Sequence, residues 1–221
     1  GALAMVTLLF VLAGRLRWLT HPFGADIVYL FHRHLAWAAL GLMTGHFAVL
    51  YIWHRPLLGV LNPLEAAPEL TAGRVALLSF AALVLTSALR RRLRLRYEHW
   101  RVLHLGLAIT GAASAVVHAL GAGHLTADPG KRALWTGAAL GWVVVLLWSR
   151  LVMPWWLMRN PWRVVANHDE GGGVHTLELA PEGRALRRWK PGQFAWLSVG
   201  GSAFALGAHP FTISNAPECG P

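Results

Sequence analysis

One cysteine, Cys219, stands among the 221 residues of this chain. That count excludes an internal disulfide framework and any zinc or iron–sulfur site built from thiolates. Charge is scarce as well: 14% of the residues are charged, with 10 acidic side chains against 20 lysines and arginines. No G-x-G-x-x-G stretch lies in a strand–helix–strand pattern, so the chain holds no recognisable nicotinamide site. The triple glycine at 171–173 has neither the lysine nor the following helix of a phosphate-cradling loop. No methionine stands at position 1 and no charged segment precedes the first apolar run, "GALAMVTLLF", so the start does not read as a signal peptide and looks cut.

Apolar residues are what the chain has in excess. At 55% hydrophobic residues, 12 tryptophans and a mean hydropathy of +0.44, it falls in the membrane class. Apolar segments run over 2–13, 27–53, 75–89, 102–120 and 134–153, against the roughly 20 residues that a spanning helix needs. We read five spans, with six expected in the intact protein. The first is too short to cross as it stands, and the third crosses only if it extends over 71–90.

The loops orient the bundle. Arg15, Arg17 and Arg33 lie around the first turn, "RRRLRLR" and Arg101 at the next loop on that side, and Arg150, Arg159 and Arg163 after the last span. On the other side Arg55 and Arg74 are offset by Glu65 and Glu69, and Asp128 partly offsets Lys131 and Arg132. The positive-inside rule makes the arginine-rich side cytoplasmic, in a multi-pass protein of the cell membrane. The formal charge of +10 is then mostly topology. A nucleic-acid patch would need base-reading residues on an accessible fold, and apolar spans bracket these arginines instead.

Four histidines repeat one spacing. His32 and His46 in the second span are fourteen residues apart, as are His104 and His118 in the fourth. Fourteen residues turn a helix by about 1400°, about 40° short of four turns, and advance it by about 21 Å. Each helix therefore presents two imidazoles on nearly one face. The two spans run in the same direction, so His32 and His104 share the cytoplasmic level and His46 and His118 the outer level. Each level offers a bis-imidazole pair of the kind that holds a haem iron between helices.

Other readings of these histidines stay open. A lone helix histidine is often a satisfied packing residue, although ionisable groups at membrane depth are costly to leave without partners. Zinc would need carboxylate or thiolate company to close a tetrahedral site. His34 competes with His32, but at twelve residues from His46 it sits about 120° off that face. His54, His99 and His124 fall at span ends. Arg33 and Arg101 are placed either to pair with haem propionates or simply as positive-inside charges.

From Pro161 the pattern changes to "WRVVANH", "VHTLELA" and "FAWLSVG", punctuated by "DEGGG", "PEG" and "KPGQ". Short β-branched and aromatic runs between turn residues predict the opening of an antiparallel β domain.

Taken together, "FHRHLAWAALGLMTGH", "YEHWRVLHLGLAITGAASAVVH", "WKPGQFAWLSV" and "HPFTIS" resemble the ferric reductase and NADPH oxidase superfamily. The likeness is nearest to bacterial proteins in which a ferric-reductase-like transmembrane domain precedes a ferredoxin-reductase-type flavin domain. It implies an all-α transmembrane helical bundle over 1–158, followed over 159–221 by the truncated beginning of an antiparallel β-barrel that binds FAD. It implies that His32, His46, His104 and His118 are the axial ligands of two b-type haems. It places Phe211 near the isoalloxazine of FAD and Thr212 near the reactive flavin nitrogen, with His209 and Pro210 shaping the strand and Ser214 a further contact. Soluble ferredoxin reductases carry arginine where this chain has His209, which leaves a strong phosphate contact there in question. An ordinary core role for Phe211 is the competing reading.

The resemblance further implies electron transfer from NAD(P)H through FAD and both haems to a small outer acceptor, ferric iron or dioxygen. The family pattern continues into the rest of the flavin barrel and a nucleotide-binding domain, whereas this chain stops at Pro221; it reads as a fragment or a shortened relative. Two further functional readings stand beside that one: a haem-bearing membrane subunit working with a separate partner reductase, and a helical scaffold without cofactor.

Overall fold

The computed structural model describes residues 1–14, 24–123, 126–183, 194–199 and 208–214. Arg15, Arg17, His124, the "WKPGQ" segment and Cys219 lie outside the described residues. The chain divides into two compact units, Gly1–Leu146 and Leu147–Pro221.

The first unit is helical. It comprises α1 (Ala2–Ala13), α2 (Gly24–Trp53), α3 (Pro68–Ala88), α4 (Tyr97–Gly121) and α5 (Pro129–Leu147), which ends at the unit boundary. Among the described residues, four helical stretches have the length and apolar composition to cross a bilayer: Asp26–Trp53, Pro68–Ala88, Tyr97–Gly121 and Pro129–Arg159. Helix α1, with 12 residues, does not. Five spans were expected, and four reach spanning length. The third gains the turn it needed at its start. Pro68 pre-sets the backbone of the first turn and Glu69 there complements the positive end of the helix dipole, giving 21 residues.

Backbone groups in hydrocarbon must be satisfied within the segment, which is why these runs are helices. The hydroxyls inside them fold back in the same way: Thr44 Oγ1 donates to Leu40 O, Thr86 Oγ1 to Ala82 O and Ser87 Oγ to Leu83 O. Outward-facing apolar side chains such as Leu78, Val144 and Ile52 are more than 60% exposed in the protein alone and face the position of lipid.

Helix α3 is the inner element, burying Ala76, Ser79, Phe80, Leu83 and Val84. It lies antiparallel to α4, and glycines mark the closest approaches. A Cβ on Gly111 would sit 3.2 Å from Ser79 Cβ, and one on Gly121 would sit 2.6 Å from Glu69 Cβ. Small residues at such crossings let helix backbones approach where no hydrophobic force drives them together. Val6 and Phe10 of α1, Phe80, Ala112 and Trp142 form the shared core. Phe10 stacks on the Trp142 ring, with centroids 5.2 Å apart and planes 8° from parallel.

The α3–α4 turn carries Arg90, Arg91, Arg92, Arg94 and Arg96 and marks one end of this unit. It is closed by Leu93 N–H donating to Leu89 O and Leu95 N–H to Arg90 O. Arg90 lies over the Tyr97 and Trp100 rings at 5.6 and 5.5 Å. We call this the near end, and the end carrying the α2–α3 loop the far end. At the far end Arg74 of α3 donates to the carbonyls of Leu58, Val60 and Leu61 at 2.7, 2.8 and 3.2 Å.

In the second unit a π-helical turn, Trp148–Val152, leads into α6 (Met153–Arg159). Strand β1 (Trp162–Gly171) pairs antiparallel with β2 (Val174–Pro181). Gly171, Gly172 and Gly173 make the connecting turn at φ 84, 63 and 80°, a backbone region that side chains disfavour. Strand β3 (Phe194–Ser198) pairs antiparallel with β4 (Ala208–Thr212). The expected strands are therefore present, as two two-stranded sheets with no closed barrel among the described residues.

Candidate functional site

Helices α2 and α4 run in the same direction because α3, between them in sequence, runs back. At the far end this brings the imidazoles of His46 and His118 together, with ring centroids 6.3 Å apart and planes tilted by 58°. Two metal–imidazole bonds of about 2.0–2.1 Å, plus roughly 1.1 Å from each nitrogen to its ring centre, separate two axial imidazole centroids by about 6.3 Å. The far pair thus has the separation of two rings sharing one metal. Stepping back fourteen residues on each helix, about 21 Å, reaches His32 and His104 at the near level. The far pair is brought ring to ring.

Helix α3 carries none of the four histidines but supplies partners to both on α4. At the far level Nδ1 of His118 donates to the backbone carbonyl of Glu69 at 2.9 Å. That bond fixes the tautomer and leaves Nε2 for a metal. Gly73, one helical turn further along α3, lies against the same ring, where an added Cβ would come within 2.7 Å of Nδ1.

At the near level the partner is a hydroxyl. Ser87 Oγ lies 3.2 Å from Nδ1 of His104 and 3.3 Å from Nε1 of Trp100. The single hydroxyl proton is donated to Leu83 O at 2.7 Å. The oxygen therefore accepts from both rings, so His104 carries its proton on Nδ1. The indole of Trp100 also packs on the His104 ring, with centroids 5.1 Å apart.

His32 is half-buried on α2. Its competitor His34 is exposed, with its Nδ1 2.9 Å from Leu30 O. His54 caps the short 3-10 turn Arg55–Leu58 and, like His99 and Arg33, is exposed. Among the described residues no group of three or more His, Cys, Asp or Glu side chains converges as a metal cage. The far site is a two-nitrogen arrangement of His46 and His118.

In the second unit, β4 pairs His209 with Leu197, Pro210 with Trp196, Phe211 with Ala195 and Thr212 with Phe194. Phe211 is 37% exposed, and Thr212 and Ser214 are exposed at and just after the strand end.

Residues 1–116, just over half of the chain, match the family described as the ferric reductase like transmembrane component, and the chain belongs to that family. The match takes in His32, His46 and His104 and ends two residues before His118. No curated protein matches the chain. Membership and four helices of spanning length make this a multi-pass membrane protein of the transmembrane electron-transfer class, with oxidoreductase character.

Proposed function

We propose that this ferric reductase-like protein moves electrons across the cell membrane, from cytoplasmic NAD(P)H by way of FAD and two b-type haems to ferric iron or dioxygen outside. The observation that carries the reading is the 6.3 Å approach of His46 and His118 at the far level. When bound, each haem supplies a one-electron ferric/ferrous couple.

The work of the chain is to hold and orient. His46 and His118 would hold one haem and His32 and His104 the other, about 21 Å apart along the bundle. The Glu69 carbonyl and Ser87 Oγ keep the α4 imidazoles protonated on Nδ1 and fix their orientation. Phe80, Ala112 and Trp142 pack with Val6 and Phe10 into the apolar core of the helical unit. The arginines of the α3–α4 turn face the cytoplasm in this reading. Residues 1–158 form the haem domain, and 159–221 begin a flavin domain in the cytoplasm. There Phe211 would meet the flavin ring and Thr212 and Ser214 its polar edge, with His209 and Pro210 shaping the strand. Their support is an aromatic ring and two hydroxyls left exposed at one strand end.

Vesicles enclosing ferricyanide test the reading directly. With a membrane-impermeant reductant outside, the trapped ferricyanide bleaches in vesicles of haem-loaded protein and stays oxidised with His46→Ala. Equal bleaching by both proteins contradicts transmembrane transfer through the paired histidines.

A further inference from the structure

Between α2 and α3 the chain runs through "PLLGVLNPL", residues 56–64, without a charged side chain. The apolar side chains of this loop do not fold inward: Leu57 and Val60 are exposed, and Leu61 and Leu64 are 79% and 92% exposed. Its backbone does the opposite. The N–H groups of Leu57, Gly59, Glu65 and Ala66 donate to the carbonyls of His54, Pro56 and Asn62, and that of Leu64 donates to Asn62 Oδ1. Pro56 and Pro63 have no N–H to satisfy. Arg74 takes the carbonyls of Leu58, Val60 and Leu61. Side chains apolar and outward, with polar backbone groups paired inward, are what a segment needs on leaving water.

We infer that this loop is seated in the membrane, with Leu57, Val60, Leu61 and Leu64 entering the phospholipid interface of the far leaflet. The inference stands on the spanning helices and needs no haem.

The level of the loop is set by Arg74. The 21 residues of α3 extend about 32 Å at 1.5 Å each, close to the roughly 30 Å of a hydrocarbon core, so Pro68 lies at its edge. Arg74 lies about 9 Å further in, where a charge is costly without partners. Its long side chain reaches back toward the helix start, and the loop carbonyls are the partners it meets. The loop is thereby held at the boundary instead of standing out in water. An irregular segment does not enter lipid-exposed hydrocarbon, so the depth is interfacial, about 5–10 Å.

The lipid-facing surface of α2 also runs directly into the loop. Tyr51, Ile52 and Trp53 are exposed at the end of that helix. Arg55 Nε donates to Tyr51 O at 3.1 Å, and the guanidinium lies 4.5 Å over the Tyr51 ring. Tyrosine, tryptophan and arginine at a helix end are interfacial anchors.

The experiment is spin-label accessibility in the full chain, reconstituted in vesicles of phosphatidylcholine and phosphatidylglycerol. Cys219→Ser removes the one native cysteine, and a nitroxide is attached at Leu61→Cys or at Leu64→Cys. Labels at Leu78→Cys on α3 and at Glu170→Cys on the β1–β2 hairpin, both exposed positions, give the lipid and water references. Power saturation compares collisions with oxygen, which concentrates in lipid, and with a water-soluble nickel chelate. The oxygen-to-nickel ratio is expected to be several-fold higher at both loop sites than at Glu170→Cys, and to approach that of Leu78→Cys. A ratio equal to that of Glu170→Cys puts the loop in water and overturns the inference. Low access to both reagents means that protein, such as a second copy of the chain, covers the loop, and overturns it as well. If one labelled variant does not fold, the other decides.

Discussion

Nδ1 of His118 lies 2.9 Å from the carbonyl oxygen of Glu69, which ties the far-level imidazole to the first turn of the helix beside it. The carbonyl is available because the first turn of α3 is held in place from several sides. Glu69 Cβ rests on Gly121, and Gly73 lies flat against the imidazole. An imidazole fixed this way would enter the proposed haem site with little orientational freedom left to lose.

Gly73→Ala therefore strikes the far site alone. Its methyl would lie 2.7 Å from His118 Nδ1, so the ring must swing off the Glu69 carbonyl. Haem content is expected to fall from about two to about one per chain, with helicity by circular dichroism unchanged. Full haem content in this variant would show that the ring has room to spare.

Gly121→Ala tests packing rather than ligation. The added methyl would meet Glu69 Cβ at 2.6 Å, next to a backbone that cannot rotate away. Overpacking of this kind costs about 1–3 kcal/mol, read as a lower melting temperature in detergent.

Arg74→Ala releases the far-end loop. The guanidinium joins three loop carbonyls to α3, and bonds from charged donors contribute more than neutral ones. Losing even one such bond, about 1.4 kcal/mol, is expected to speed amide exchange in residues 57–66 by about tenfold. Arg74→Lys recovers part of the effect, because an ammonium lacks the fork that spans several carbonyls.

Gly172→Ala probes the β1–β2 turn. Its φ of 63° leaves space for a methyl but disfavours a side chain, so the cost of about 1–2 kcal/mol is backbone strain alone. Earlier thermal loss of the hairpin, with the haem spectrum intact, is the expected outcome.

The helices were legible because long apolar runs in lipid have little choice but to be helical. The fourteen-residue spacing put each pair of histidines on nearly one helix face before any coordinates, since helical geometry fixes it. The turn at Gly171 to Gly173 was legible for a similar reason, as three adjacent glycines announce a positive-φ backbone. The partners of the α4 histidines were not. The acceptor for His118 is a main-chain carbonyl, which no residue letter marks, and Ser87 looks like any helix serine until α3 docks against α4. Arg74 read as a loop charge balanced by nearby glutamates, whereas it lies within α3 and points its donors at carbonyls. Each of these depends on the antiparallel register of two helices, which spacing within one helix does not encode.

The central claim is two haems at two levels, and haem quantitation with visible spectroscopy tests it most directly. Purified in detergent with haem supplied, the chain is expected to give a reduced low-spin b-type spectrum. Pyridine haemochrome analysis should return about two haems per chain, falling to about one in His46→Ala, in His118→Ala and in His104→Ala. Combining His46→Ala with His104→Ala should remove both. A folded wild-type chain without haem, or single variants that keep both haems, would contradict the account.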